Sequence, residues 1–291
     1  MNIQLLCALA ATGSLALAAM PSRADNLLHN PPPSAWTGRK TLTWLDGKNE
    51  VRYVDVYAPR LYKSVTGGVP VVMWFMGSRR NVRKDYHYIG LSYEDCGIAP
   101  YAEKNGFILV VIDQKHIDDK GWAMLDADDR DETLTLDVLA YLKKTFPIDA
   151  SRVYLWGISA GGKLSQVLAA RHSDLFAAVV SFSGVIDEPE SQFWTDFSEC
   201  IRKSPRKFPI QHWQTAGDFD TLIEYMPRML RLYRENGYRV EFVWLDNPPG
   251  RTLKHEWYAD LYNQKMWDWC KQFTLAPSPL GERVGERGNL P

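Results

Sequence analysis

The sequence predicts an α/β fold: a mostly parallel sheet of eight strands with helices on both faces. Three observations predict it. Short apolar runs of β character recur, Ala177–Phe182 among them, and Val71–Phe75 and Phe107–Ile112 are continuous rather than alternating, as strands covered on both faces require. Stretches of helical period lie between such runs, and alternating β and α elements imply parallel strands joined by crossovers. The run Val153–Trp156 ends in Gly157-Ile158-Ser159-Ala160-Gly161, and Leu164, Val167 and Leu168 follow at helical spacing.

Each element has its own reason. Residues 1–24 read as a signal peptide. Leu5 to Ala19 is apolar but too short to span a bilayer comfortably, and Ser22-Arg23-Ala24 is a small-x-small site ahead of Asp25. The expectation is a secreted or periplasmic protein with no stable membrane association after cleavage. Residues 25–40 contain Pro31-Pro32-Pro33 and read as an irregular lead-in. A single domain is expected over 41–275. It opens with a hairpin, Thr41–Leu45 and Val51–Tyr57, around the turn signal Asp46-Gly47-Lys48-Asn49. Ile210–Thr215 and Val240–Trp244 complete the eight strands. Asp131–Phe146 places Leu134, Val138 and Leu142 at four-residue steps, with acidic residues first and Lys143-Lys144 near its end, and reads as a helix. Met226–Asn236 and Trp257–Phe273 read as further helices. Residues 184–208 are polar with Phe193 and Trp194 inside, and suit either a small cap or a surface connection. Residues 276–291 are rich in Pro, Gly and charge and are expected to be a disordered tail.

Composition excludes several classes. A net charge of −1 over 291 residues argues against a general nucleic-acid binder. After cleavage three cysteines remain, Cys96, Cys200 and Cys270, so at most one internal disulfide forms. No Cys-x-x-Cys is present, so neither a zinc site nor a redox motif is indicated.

Strand, sharp turn and helix around Ser159 make a nucleophile elbow, the turn that lifts a serine hydroxyl clear of the sheet in α/β-hydrolases. A serine hydroxyl needs a base within hydrogen-bond reach, normally a histidine held by a carboxylate. The order along such chains is Ser, acid, His. His212 falls inside a strand and reads as a wall residue. His255 follows Pro248-Pro249-Gly250 in the loop after the last strand and is the expected base. The acid should end the seventh strand, where Gly217-Asp218-Phe219-Asp220 offers two carboxylates. The oxyanion formed during acyl transfer needs two backbone donors, expected at the N–H groups of Ala160 and Ser78.

Phe146-Pro147-Ile148-Asp149-Ala150-Ser151-Arg152-Val153-Tyr154, Gly157–Gly162, Asp174–Val180 and Ser183-Gly184 together resemble the secreted poly(3-hydroxybutyrate) depolymerase and feruloyl esterase group of α/β-hydrolases. In that group a Gly-x-x-Asp segment, with Tyr five residues on, supplies the acid. Gly217, Asp220 and Tyr225 match that spacing, so the resemblance favours Asp220. The group's His-Gly dipeptide is Met76-Gly77 here, and the glycine-rich segment before its histidine is Thr252-Leu253-Lys254. The resemblance implies hydrolysis of a small-molecule or polymeric ester, of polyhydroxyalkanoate or hydroxycinnamoyl type, through an acyl-enzyme and without a cofactor. A serine peptidase or acyltransferase on the same fold, or a non-catalytic binding protein that retains it, are the alternatives.

Overall fold

The computed structural model describes residues 35–45, 51–77, 97–112, 130–186 and 192–276. The signal segment, most of the lead-in and the tail from residue 277 lie outside them, as do Cys96 and Ser78. Among the described residues eight strands form: β1 (Gly38–Leu45), β2 (Val51–Ala58), β3 (Val69–Phe75), β4 (Ile108–Ile112), β5 (Ile148–Ile158), β6 (Ala178–Phe182), β7 (Ile210–Thr215) and β8 (Val240–Leu245). They make one sheet in the order β1-β2-β4-β3-β5-β6-β7-β8. β2 is antiparallel to β1 and β4, and every later pairing is parallel.

The helices are α1 (Ala99–Asn105), α2 (Arg130–Thr145), α3 (Ala160–Arg171), α4 (Gln192–Lys203), α5 (Asp220–Glu235) and α6 (Ala259–Cys270). Alternation along each strand feeds two cores. Val153 and Leu155 of β5 face the layer that holds Leu134, Val138 and Leu142 of α2, Leu164, Val167 and Leu168 of α3, and Met229 and Tyr233 of α5. Tyr154 and Trp156 face the other layer, with Ala102 of α1 and Tyr262, Met266 and Trp267 of α6.

Two expectations change. α5 begins at Asp220, six residues ahead of the expected start at Met226, and Pro227 stands inside it. A proline normally marks a helix's first turn because it lacks an N–H and crowds the preceding turn. Here Leu222, only 4 % exposed, holds the extra turn against the core. Within 184–208, Phe197 and Ile201 of α4 and Phe208 are fully buried in the first core, so the described part of this stretch is a core layer.

Register brings the carboxyl ends of the parallel strands level. Phe75 lies beside Gly157, Ile158 beside Phe182, Phe182 beside Trp213, and Thr215 beside Leu245. The loops that leave these ends meet at one rim, where ligands of such sheets bind.

Candidate active site

Ser159 occupies the turn between β5 and α3 with φ 54° and ψ −122°, a region that an L-residue enters only when its surroundings force it. Two glycines make the turn possible. A Cβ on Gly157 would stand 2.3 Å from the Gly161 carbonyl oxygen, and one on Gly161 would stand 2.2 Å from that of Phe75. The Ser159 N–H donates to the Phe182 carbonyl at 2.8 Å, which ties the elbow to the end of β6. Ala160 is the first residue of α3, so its N–H is among those without an intrahelical acceptor. Gly77, two residues past β3, lies against the serine: a Cβ there would be 3.2 Å from Ser159 Cβ. Ser78, the other expected oxyanion donor, falls outside the described residues.

The carboxylate on His255 is Asp218. Its Oδ1 lies 2.5 Å from His255 Nδ1, with the Asp218 side chain fully buried and that of His255 15 % exposed. Its Oδ2 accepts the Ser183 hydroxyl at 2.6 Å and the Thr215 N–H at 3.2 Å. Asp220, which the family spacing favoured, is an exposed residue in the first turn of α5. The correction has a local cause. The Asp218 N–H donates to the Thr215 carbonyl at 3.1 Å, so the chain turns tightly beyond β7 and aims residue 218 back at the sheet edge. By residue 220 the chain is already helical, and a carboxylate there complements the helix dipole instead. Tyr225 is half-buried on α5.

Ser183 was not singled out from the sequence, although Ser183-Gly184 was part of the resemblance. It sits one residue past β6 at φ 51°, fully buried, and its N–H donates to the Trp213 carbonyl at 2.8 Å. A run of contacts therefore passes from Ser159 to Phe182, through Ser183 to Asp218, and on to His255. Gln166 of α3 braces the same segment, donating to the Gly184 carbonyl at 2.6 Å and accepting the Tyr233 hydroxyl at 2.9 Å.

The loop that carries His255 is pinned from both sides. A Cβ on Gly217 would stand 1.7 Å from the Leu253 carbonyl oxygen, so only glycine lets the acid and histidine loops touch there. The Leu253 N–H donates to Asn247 Oδ1 at 2.7 Å, and the Lys254 N–H to the Tyr258 hydroxyl at 2.7 Å. Trp257 drops into the second core, edge-on to Trp74 with centroids 5.8 Å apart and near Phe182 at 6.1 Å. Trp74 and Trp156 are buried, 3 % and 0 % exposed, and act as the floor beneath this loop. Trp194 lies on α4, partly buried against the first core.

His212 sits in β7 as expected, fully buried, with Nε2 3.0 Å from Gln214 Oε1 and its ring stacked on Phe242. Burial pushes its pKa down to about 4, so it is a neutral wall residue. Among the described residues Cys200 and Cys270 are free thiols, and burial pushes that of Cys270 up. No described helix is long and apolar enough to cross a membrane.

The sheet order, the crossovers and the strained serine at the rim define the class: an α/β-hydrolase. Within it the chain belongs to the family described as "Putative esterase", whose model matches residues 47–252. It is 32 % identical to feruloyl esterase B of Talaromyces funiculosus over 64 % of this chain and 46 % of that protein. It is 25 % identical to a probable acetylxylan esterase A of Aspergillus flavus over 43 % of this chain and 44 % of that one. The chain thus spans about half the length of the curated relatives it matches. An S-formylglutathione hydrolase structure from Agrobacterium tumefaciens superposes with a TM-score of 0.62 at 15 % identity, over 86 % of this chain and all of that one, a likeness of fold.

Proposed function

We propose that this protein is a secreted serine carboxylic-ester hydrolase that works through an acyl-enzyme, with hydroxycinnamoyl or polyhydroxyalkanoate-type esters as substrates. The observation that carries the reading is the buried Asp218–His255 pair at the rim where Ser159 is held in a strained turn. With Nδ1 hydrogen-bonded to Asp218, His255 keeps Nε2 free to accept a proton. Ser159 Oγ attacks the ester carbonyl as Nε2 takes the hydroxyl proton. The tetrahedral oxyanion is stabilised by the N–H of Ala160 and by a second donor from the loop after β3, expected at Ser78. Nε2 returns the proton to the departing alcohol. Water then enters, gives its proton to Nε2, and releases the acid from Ser159 as the hydroxyl re-forms. Asp218 fixes the imidazole throughout.

The relatives' names support an ester hydrolase, and the feruloyl name supports the hydroxycinnamoyl acyl group. The fluorophosphonate reaction tests the nucleophile. The wild type should take one label and hydrolyse a short-chain nitrophenyl ester, and S159A should do neither. A label retained in S159A, or none in the folded wild type, would sink the reading. Export is tested by the mass of the mature protein, expected to begin at Asp25.

A further inference from the structure

Gln166 lies on α3 about two turns past Ser159 and is fully buried. Its neighbours on the helix, Leu164, Val167 and Leu168, belong to the first core. Its amide is engaged at both ends. Nε2 donates to the Gly184 carbonyl at 2.6 Å, the Gly162 carbonyl at 2.9 Å and Ser181 Oγ at 3.1 Å. Oε1 accepts the Tyr233 hydroxyl at 2.9 Å. Tyr233 of α5 is fully buried too, and burial holds its pKa well above the usual tyrosine range, so the hydroxyl keeps its proton and donates it. That donor fixes the amide, oxygen toward α5 and nitrogen toward the end of β6. An apolar side chain would fill the same place without the cost of burying an amide, so the amide calls for a reason beyond packing.

The reason lies in the three residues past the middle of β6. The Phe182 carbonyl accepts the Ser159 N–H, the Ser183 hydroxyl donates to Asp218, and the Gly184 carbonyl accepts Gln166. A Cβ on Gly184 would stand 2.6 Å from the Gly162 carbonyl carbon, so this segment touches the first turn of α3, which begins with Ala160. Ser183 sits at φ 51°, a conformation that an L-residue keeps only where its surroundings hold it. The Trp213 carbonyl holds it toward β7, and the Gln166 amide holds the next carbonyl toward α3.

We propose that Gln166 is a positioning residue for the acid of the site. By clamping Gly184 to α3 it sets the place from which Ser183 holds Asp218, and so the place of His255 relative to Ser159. Tyr233 serves the same end by orienting the amide. The serine and the acid leave different strands, and proton transfer needs the distance between the serine and the base fixed. This inference rests on the esterase reading and adds a residue behind the site that touches no substrate.

The test is steady-state hydrolysis of a nitrophenyl ester across pH, beside a thermal melt of each variant. Q166M keeps the length of the side chain and removes both halves of the amide. It should lower kcat about 10-fold and leave KM within about 2-fold of wild type. The acid limb of its kcat/KM profile should move to lower pH, because a carboxylate held less closely favours the protonated imidazole less. Y233F keeps the ring and its packing on Phe197 and Phe208, and should act in the same direction, about 3-fold on kcat. Q166E supplies a donor to Gly184 only while its carboxyl is protonated, so its kcat relative to wild type should rise as pH falls. S183A separates a clamp from a plain structural role. If Gln166 acts through Ser183, Q166M/S183A turns over about as fast as the slower of the two single variants. Effects on kcat that multiply in the double variant overturn the proposal. A Q166M that melts lower but keeps wild-type kcat and pH profile overturns it too, and so does Y233F at wild-type kcat should Q166M fail to fold. A wild type that neither hydrolyses the ester nor takes the fluorophosphonate removes the esterase reading itself, and this inference with it.

Discussion

The choice between two carboxylates two residues apart decides what D218N and D220N do. Asp218 receives three hydrogen bonds: His255 Nδ1 on Oδ1, and the Ser183 hydroxyl and Thr215 N–H on Oδ2. An asparagine has one oxygen and one NH2. Two donors already converge on the Oδ2 position, so in D218N the oxygen stays there and the NH2 turns to His255. Nδ1 must then accept, which forces the proton onto Nε2, where it blocks transfer from Ser159. The wrong tautomer, with the stabilising charge gone, predicts a loss of about 10³–10⁴ in kcat, the scale known for such a change in serine proteases. KM should move little, since Asp218 is fully buried and touches no substrate. D220N removes an exposed carboxylate from a helix start, worth about 0.3–1 kcal/mol. It should lower Tm by about 1–3 °C and leave kcat within about 2-fold. The assay is steady-state hydrolysis of a nitrophenyl ester beside a thermal melt of each variant. D218N with more than about a tenth of wild-type kcat, or D220N as impaired as D218N, would refute the reasoning.

Further outcomes follow from the same contacts. S183A removes one of two donors on Asp218 Oδ2, a hydrogen bond to a charged group worth about 1.5–3 kcal/mol. The expected result is a kcat lowered about 10-fold with KM near wild type, because the imidazole loses orientation while the pocket keeps its shape. G217A puts a methyl where the Leu253 carbonyl stands and should drive the His255 loop away, so both fluorophosphonate labelling rate and Tm fall; an active, stable G217A would show that the loops need not touch. His212 supplies a pH dependence. Its folded pKa, about 4, lies below the ordinary 6.5, so between these values the unfolded chain binds a proton that the folded protein excludes. Wild-type stability should therefore fall as pH drops from 6.5 toward 4. H212Q, whatever its stability at pH 7, should lose less over that interval; parallel melting curves would count against a neutral buried imidazole.

β3 and β4 were legible because burial on both faces leaves a local trace, an unbroken apolar run such as Val71–Phe75, and β1 and β2 because a turn signal stands between them. The elbow was legible because its steric demand is local: Gly157, Ser159 and Gly161 lie within five residues and collide with one another or with the end of β3. His255 followed from chain order and from its place after the last strand. What failed was also local in appearance. Asp218 and Asp220 carry the same group, and the family spacing pointed to the second. α5 begins six residues before the expected start because Leu222 packs its first turn against the core, a contact made only in the folded chain. Ser183 gave no sign of its contact with Asp218, since the two are 35 positions apart and meet only when β6 and β7 lie side by side.

From the sequence alone came the sheet and the strained serine, because each answers to constraints within a few residues of itself, and an expected histidine, because the order along the chain and the last strand leave few places for it. Only the tertiary structure decided which carboxylate faces the imidazole and that Ser183 supports it. Those depend on the direction in which one tight turn aims a side chain, and that direction is set by neighbours across the sheet: Thr215 and Ser183 on one side, and the Leu253 carbonyl against Gly217 on the other.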